Sequence, residues 1–279
     1  VSLTLHHGGS RAVCHYCGHD VRSPETCSSC RGAYLRLTGY GTQKVVESVQ
    51  AAVPEARVER LDRDRASRRG VLAGLLARFE AGEIDVLVGT QMIAKGHDFP
   101  RVTLVGVVDA DVGLGLPDFR SAERTFQLLT QVAGRAGRGE VPGEVILQSH
   151  LPDHYALTFA CEQDYAGFFD REMEFRRTMG YPPVTSLLNL VIRADQAAKG
   201  AEVADRLGRR LRESARGRFR VLGPAHAPLA RLRNEHRFQI LLKGHRPSMR
   251  ESVREALVEL FGPSRWPKVA VDVDPLTVM

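Results

Sequence analysis

Short apolar segments alternate with amphipathic helical segments over residues 36–152, and this alternation limits the possible folds more than any other feature. Asp85–Val88 and Val102–Asp109 are short apolar runs typical of buried strands, whereas Thr42–Ala52 and Ser67–Ala81 carry apolar residues at helical spacing. Strands that alternate with helices predict a parallel, doubly wound sheet of the α/β class, with helices on both faces.

A different pattern begins after residue 152. Residues 153–183 are predicted to form a helical connector that ends at Gly180–Pro183, because proline lacks an amide donor and restricts the residue before it. Residues 184–279 mix strand and helical segments, including the arginine-rich segment Ala197–Arg216. They predict a compact α+β domain.

Four of the five cysteines occur in the pattern Cys14-x2-Cys17-x9-Cys27-x2-Cys30. Two Cys-x-x-Cys turns can supply the four thiolates of a tetrahedral zinc site. Disulfides are the alternative, but they need an oxidising compartment, of which the sequence gives no sign. Residues 1–35 are therefore predicted to form a zinc-ribbon-like module that needs its metal to fold.

The stretch Gln131–Arg138 has the chemistry of a phosphate site. Gly134 and Gly137 each cost roughly 1 kcal/mol relative to alanine within a helix, so we expect the close approach of another group to offset that cost. Arg135 and Arg138 present planar forks of donors that suit phosphate. The stretch predicts a surface where two guanidinium groups meet a polyphosphate. A basic helix end with a glycine cap is the alternative.

A second polar group follows the strand predicted at Asp85–Val88. Thr90, Gln91 and Asp98 come after the point where this strand ends. Ligands of open parallel sheets bind beyond the carboxyl ends of the strands, so these side chains are predicted to line a binding site. A plain strand-to-helix turn explains Thr90 but not the later Gly96 and Asp98.

The net charge of +6 is concentrated in the second half of the chain. Residues 1–150 carry 18 Lys and Arg against 17 Asp and Glu, whereas residues 151–279 carry 21 against 16. Arg209, Arg210 and Arg212 lie on one predicted helix and form a candidate surface for nucleic acid. The alternative is a solvated helix whose arginine stems cover apolar surface.

Gly89–Pro100 and Gln131–Arg138 resemble motifs V and VI of the superfamily 2 helicases. Further segments in a consistent order, from Leu3 to the last residue, resemble the replication-restart helicases of this superfamily. These segments are Gly41–Glu47, Asp109–Asp111, Pro117–Arg124, Gly180–Pro183, Leu222–Ala225 and Val271–Pro275. The resemblance implies that residues 36–152 form the second RecA-like lobe of an ATP-dependent DNA helicase, one that restarts stalled replication forks and loads the primosome.

The resemblance also implies roles at the nucleotide. Arg138 would be an arginine finger that stabilises charge on the transferring phosphoryl group, and Arg135 would bind phosphate or brace its loop. Gln131 would position the nucleotide or the attacking water. Gly96 and Asp98 would lie at the nucleotide, with Asp98 accepting a hydrogen bond from the ribose hydroxyl.

The sequence contains no Gly-x-x-x-x-Gly-Lys loop. ATP and magnesium are therefore expected to be bound mainly by a first lobe that is missing here, and the chain alone should hydrolyse no ATP.

Roles toward DNA follow from the same resemblance. Thr42, Thr90 and Gln91 would bind the backbone of single-stranded DNA without reading its sequence. The domain at 184–279 would bind forked DNA, with the three helix arginines as contacts. Single-stranded DNA-binding protein and primosome proteins are the implied partners.

Several alternatives remain open at this point. The family holds two zinc ions through four interleaved Cys-x-x-Cys pairs, so the four cysteines here could close one site or supply halves of two. A non-catalytic protein that binds forks and primosome components is the alternative function. The protein is expected to be cytoplasmic and associated with the nucleoid, because no apolar run approaches the ~20 residues of a membrane span.

Overall fold

The computed structural model describes residues 4–6, 11–13, 19–22, 26, 31, 41–61, 70–90, 99, 101–134, 142–262 and 268–278. The chain forms two compact units. The C-terminal unit combines Val1–Leu35, Gly115–Ser121 and Asp170–Met279, and the lobe unit combines Arg36–Leu114 with Ala122–Phe169. The predicted connector 153–183 is thus divided between the units at residue 170.

A small antiparallel sheet is described near the start of the chain. Strands β1 (Thr4–His6), β2 (Arg11–Val13) and β3 (Asp20–Arg22) follow one another in this sheet. Arg11 and Asp20 form an ion pair between β2 and β3, with 2.6 Å between Nη2 and Oδ2. The pair holds together the two strands that flank the first cysteine pair in the sequence.

The first part of the lobe unit is a parallel βαβ arrangement. Helix α1 spans Thr42–Ala52, strand β4 Val58–Leu61, helix α2 Val71–Ala81 and strand β5 Val86–Gly89. The two strands are parallel and in register over their whole length. Arg60 of β4 bonds to Gln43 of α1, whereas its neighbour Glu59 accepts from Arg78 of α2. Because successive side chains of a strand point to opposite faces, a helix covers each face of this pair, as predicted.

Glycine sets both ends of α2. Gly70 and Gly82 flank the helix with φ of +83° and +78°, in the left-handed region that suits glycine. Leu75 and Leu76 are buried, but Val71, which the helical spacing predicts to face inward, is 38% exposed at the first position of the helix. The prediction for Val71 is wrong because the described helix starts there.

The rest of the lobe unit builds a second parallel pair on a helical core. Its elements are β6 (Leu104–Val107), α3 (Asp111–Leu114), α4 (Ser121–Ala133), β7 (Glu144–Leu147), α5 (Tyr155–Glu162) and α6 (Tyr165–Met179). Phe126 of α4 stacks on Phe168 of α6 with 4.0 Å between ring centroids. Leu129 and Leu157 belong to the same buried cluster.

The single doubly wound sheet predicted for residues 36–152 is not formed by the described residues. β4 pairs only with β5, and β6 only with β7, in two separate two-stranded sheets of the described part of the chain. Leu104 and Ile146 are more than half exposed, so one face of the β6–β7 pair is open. Alternation of strands and helices predicts parallel pairing within each βαβ unit, but it does not determine which units become neighbours.

The C-terminal domain is an antiparallel sheet covered by two helices. Its elements are β8 (Ser186–Ala194), α7 (Ala197–Ala215), β9 (Phe219–Leu232), β10 (Glu235–Gly244), α8 (Arg246–Phe261) and β11 (Val269–Val273), with sheet order β11-β8-β10-β9. Leu190, Ile192, Leu207 and Leu211 are at most 1% exposed in the core beneath α7 and α8. Gly200 lets α7 lie close to the sheet, since a Cβ there would come within 2.7 Å of the Phe238 ring. The α+β prediction agrees with this architecture.

Candidate functional site

The start of α1 and the end of β5 lie at the same edge of the β4–β5 sheet. Gln43, the second residue of α1, accepts a hydrogen bond from Arg60 near the end of β4, at 2.8 Å. Because β4 and β5 are parallel and end together, Thr42 and Thr90 lie at this carboxyl edge. The start of α1 and the end of β5 therefore lie at one edge of this sheet, and next to them are two residues that were predicted separately to contact the DNA backbone.

The amide groups at this edge suit an anion. Gly41, which precedes α1, has extended geometry, and no side chain of the described residues caps the helix start. The amide groups of a first helical turn lack intrahelical partners and favour phosphate. Thr90 is exposed directly after β5. Gln91, Gly96 and Asp98 lie outside the described residues.

Helix α4 leads into the predicted phosphate-binding arginines. It buries Ala122, Phe126 and Leu129 and leaves Gln131 exposed. The amide of Gly134 still donates to the Thr130 carbonyl at 3.1 Å, so helical hydrogen bonding extends one residue past Ala133. Arg135 and Arg138 lie outside the described residues.

Asp109 is a buried acid that belongs to the segment Asp109–Asp111 of the family resemblance but was given no role from the sequence. It follows β6 and is 8% exposed, and neither of its carboxylate oxygens has a hydrogen-bond partner among the described residues. Its φ of +56° is in the left-handed region. Unsatisfied buried groups and strained backbone concentrate at functional sites, so Asp109 joins the candidate site. Only the position of an acid after a predicted strand could have indicated it.

Intramolecular contacts hold the predicted DNA-binding arginines of α7. Arg210 lies 2.6 Å from Glu259 of α8, and this hydrogen bond raises the pKa of the guanidinium. Arg212 donates to the carbonyl oxygen of Gly223. Arg209 is exposed, and no described carboxylate pairs with it. Two of the three arginines therefore have partners within the C-terminal unit.

A more basic surface lies on the β9–β10 hairpin. The hairpin carries five Lys and Arg against one acid, whereas α7 carries five against three. The acid, Glu235, lies 2.7 Å from Lys268. No described carboxylate pairs with the hairpin arginines, which are Arg220, Arg231, Arg233 and Arg237. The turn residues Arg233 and Asn234 have φ of 51° and 68°, which suits a two-residue hairpin turn.

Sequence reasoning missed this hairpin because it predicted two short strands, at Phe219–Leu222 and Phe238–Lys243. The available signal was Asn234, which tolerates positive φ between two strand-like segments. Exposed Leu229 and Leu232, 54% and 47% accessible, add apolar surface beside the arginines.

The four predicted zinc ligands, Cys14, Cys17, Cys27 and Cys30, lie outside the described residues. Their surroundings in the sequence are informative. β2 ends at Val13 and β3 begins at Asp20, and these two residues pair across the sheet. The first Cys-x-x-Cys pair therefore falls within the connection between two antiparallel strands.

Comparisons with known families define the class of protein. The helicase conserved C-terminal domain matches residues 47–140, the Cys-rich region domain of PriA DNA helicase matches residues 1–22, and the primosomal protein N C-terminal domain matches residues 177–276. The chain thus combines a helicase-type domain with a cysteine-rich module and a primosomal C-terminal domain.

Whole-chain similarity identifies the family. The chain is 42% identical to the replication restart protein PriA of Bacillus subtilis (strain 168), over 100% of the chain and 35% of that protein. It is 39% identical to PriA of Treponema pallidum (strain Nichols), over 100% of the chain and 42% of that protein. It belongs to the PriA family, and it spans less than half the length of these curated relatives.

None of the described helices combines the length and apolar character that a membrane span requires.

Proposed function

We propose that this chain supplies the second motor lobe, the zinc module and the C-terminal DNA-binding domain of an ATP-dependent DNA helicase. That helicase would restart stalled replication forks and load the primosome. The observation that carries the proposal is the order of three family matches along a chain whose whole length is similar to PriA relatives. Cytoplasmic location and association with the nucleoid are part of the same proposal.

We further propose that the lobe unit is RecA-like. Two parallel strand pairs, each separated in sequence by a helix, support this assignment. ATP and magnesium would be bound mainly by a separate lobe that carries the phosphate loop, which this sequence lacks. Arg138 would reach the transferring phosphoryl group, Arg135 would bind phosphate or brace the loop, and Gln131 would position the nucleotide or water. Gly96 and Asp98 would contact the nucleotide.

DNA would be held by its backbone. Thr42 and Thr90 at the carboxyl edge of β4–β5, together with Gln91, would grip a single strand through hydroxyl, amide and backbone groups. The basic hairpin would hold phosphates of the fork, in addition to the arginines of α7. Affinity would then depend on salt and not on base sequence.

Zinc fits the cysteine set. Cys14, Cys17, Cys27 and Cys30 would hold it through thiolates, either in one tetrahedral site or as halves of two. The hairpin position of the first pair supports a metal-binding turn, and the Cys-rich family match includes that pair. Bound zinc would cross-link a module that has little core of its own. The module and the C-terminal domain would dock single-stranded DNA-binding protein and primosome proteins.

The deciding experiment compares the protein that contains both lobes with its Arg138→Ala variant. Forked DNA should stimulate ATP hydrolysis and unwinding by the first, and Arg138→Ala should lower kcat about 10³-fold while DNA affinity persists. The isolated 279 residues should bind forks without hydrolysing ATP. Fork binding with no ATPase activity in the two-lobe protein would favour the alternative, a non-catalytic fork-binding and primosome-interaction protein.

A further inference from the structure

The segment Gly115–Ser121 belongs to one domain by sequence and to another by its contacts. It lies inside the helicase-domain match at residues 47–140, yet it packs within the C-terminal unit. Asp118 is the centre of this packing and is 2% exposed. A helicase-domain segment is thus held by the domain that is proposed to bind the fork.

Hydrogen bonds from within the C-terminal unit hold the Asp118 carboxylate. Oδ2 accepts a hydrogen bond from the Thr277 hydroxyl at 2.7 Å and one from the Val278 amide at 3.3 Å. Oδ1 accepts one from the Arg120 amide at 2.9 Å. Thr277 and Val278 lie just beyond β11, nearly 160 residues away in sequence. Breaking one of these bonds would leave a buried carboxylate short of a donor.

Aromatic stacking secures the next residue. The Phe119 ring stacks on Tyr181 with 5.2 Å between centroids and 14° between planes. The guanidinium of Arg176 lies 5.6 Å from the Phe119 centroid, and Lys243 Nζ lies 3.5 Å from the Tyr181 centroid. The two stacked rings, flanked by two cations, hold the segment Gly115–Ser121 in a defined position within the C-terminal unit.

Helix α4 begins at Ser121, the last residue of this segment. The amide of Ser121 donates to the Asp118 carbonyl at 3.1 Å, and the helix then runs for 13 residues. At a rise of about 1.5 Å per residue it spans about 20 Å before it reaches the arginine stretch. Phe126 and Leu129 pack its middle into the core of the lobe unit. A change at Asp118 would therefore act on the start of a continuous helix whose last residue, Ala133, comes just before Arg135 in the sequence.

We propose that Asp118 is a positioning residue that couples fork binding by the C-terminal domain to the arginine stretch through α4. The coupling rests on the proposed function, since nucleotide turnover is what it would control. A helix that begins at a segment held by the C-terminal unit, and that ends just before the arginine stretch in the sequence, has the connectivity that such coupling requires.

Two variants disrupt this contact from opposite sides. Thr277→Val removes the hydroxyl donor and keeps the size of the side chain. Asp118→Asn replaces one acceptor oxygen with an amide donor, so the side chain can no longer accept from the Arg120 amide and from Thr277 and Val278 together. Thr185→Val is the matched control, because the Thr185 hydroxyl also bonds across the C-terminal unit, to the Gly244 carbonyl at 3.3 Å, without touching the segment. Thermal unfolding shows that each variant folds.

The first measurement is amide exchange of residues 122–134 in the 279-residue chain, with and without forked DNA. We expect the fork to change exchange in the wild type and in Thr185→Val, but not in Asp118→Asn or Thr277→Val. No change in the wild type, or an equal change in all four proteins, would overturn the coupling. This readout does not depend on ATP hydrolysis.

The second measurement is the ratio of fork-stimulated to DNA-free kcat in the two-lobe protein. Asp118→Asn and Thr277→Val should each lower this ratio by about tenfold at saturating DNA. The double variant should lose no more than either single one. If the wild-type two-lobe protein had no ATPase activity, the proposed function would be rejected, and the amide-exchange result alone would decide the coupling. If the variants kept the wild-type ratio of kcat values, or lost only DNA affinity, the coupling would be overturned.

Discussion

Arg57 clamps Asp85 at the edge of β4–β5 where both strands begin. Its Nη2 lies 2.6 Å from Asp85 Oδ1, while its own amide and Nε each donate to Asp85 Oδ2 at 2.8 Å. The same guanidinium donates to the Gly82 carbonyl at 2.7 Å, just past α2. One side chain therefore joins the two strands to the end of the helix between them, at the edge opposite Thr42 and Thr90.

The first prediction concerns the pKa of Asp85 and the loss of its stabilising contacts at low pH. The side-chain and then the backbone hydrogen bonds from Arg57 lower the pKa of Asp85 from 3.8 to about 2. Because the folded-state pKa is lowered, the stabilisation is complete above pH 3.8 and disappears as the pH falls toward 2. An NMR titration of the Asp85 carboxyl group should have its midpoint near 2. Arg57→Ala should return it toward 3.8, and an unshifted midpoint in the wild type would contradict the clamp.

The second prediction concerns Lys243, which lies over Tyr181. Burial, and then repulsion from Arg220, lowers its pKa from 10.5 to about 8. The unfolded chain binds more protons than the folded one between these values, so this group's contribution to the free energy of unfolding rises with pH from about 8 to 10.5.

Reductive methylation followed by mass spectrometry tests this difference. The modification rate of Lys243 should rise with a midpoint near pH 8, whereas Lys268, whose pKa is raised by its hydrogen bonds to Glu235 and Asp195, should respond only at higher pH. Arg220→Gln should move the Lys243 midpoint upward. Equal midpoints for the two lysines would show that Lys243 is not held as described.

The third prediction separates two aspartates that lie two residues apart. Asp109 is buried without a partner, whereas Asp111 accepts hydrogen bonds from the Ser149 hydroxyl at 2.7 Å and the His150 amide at 2.6 Å. Asp109→Asn replaces a buried carboxyl group that has no described hydrogen-bond partner, and it should stabilise the chain by about 1 kcal/mol. Asn also tolerates the positive φ at this position.

Asp111→Asn should instead lower the thermal unfolding midpoint. If Asp109 serves the nucleotide site, its stabilised variant should still lose DNA-stimulated ATPase activity in the two-lobe protein. A variant that is both more stable and fully active would make Asp109 a structural residue only.

Local patterns predicted the elements that carry strong periodicity. The bounds of α1 agree with the predicted Thr42–Ala52, because its apolar residues recur at helical spacing. The β9–β10 hairpin was underestimated, since Pro224 and Pro228 interrupt the strand pattern and the register shifts between His236 and Phe238. Proline lacks a ladder donor, so such a segment resembles a loop in sequence.

In the candidate site, too, some features could be predicted from local sequence patterns and others could not. The meeting of Thr42 and Thr90 could be expected, because the carboxyl ends of parallel strands share an edge. The bond between Asp118 and Thr277 could not, since nothing in a single sequence relates two residues this far apart. The contacts of Arg210 and Arg212 depend on where α8 and β9 pack against α7, which helical periodicity does not specify.

The fourth prediction concerns zinc. Cys27→Ser should release metal and unfold residues 1–35 locally, while the amide protection of β8 and β10 persists. Cys161→Ser is the control, since Cys161 is an exposed free thiol on α5 and should leave the zinc content unchanged. Metal analysis of the purified protein that finds no zinc, or mass spectrometry that finds disulfides, would reject the metal module.

The last prediction decides which basic surface holds DNA. Arg231→Ala with Arg233→Asn removes two hairpin charges, and Asn suits the positive φ at residue 233. Each arginine that contacts phosphate contributes about one unit to the slope of log affinity against log salt, so this pair should lower the slope by about two. The thermal midpoint should fall only slightly, because the described contact that is lost is the exposed hydrogen bond from Arg231 to the Asn234 side chain.

Replacing Arg209, Arg210 and Arg212 with Ala should have the opposite effect: a clear loss of thermal stability and only a small change in the salt slope. The ion pair with Glu259 and the bond to Gly223 are lost, so the thermal midpoint should fall, while the salt slope should drop by about one at most, from Arg209. Arg171→Ala, which removes a guanidinium paired with Glu174 on α6, is the control for loss of positive charge alone. A large drop in slope for the α7 triple variant, with an unchanged slope for the hairpin pair, would assign the fork to the helix and not to the hairpin.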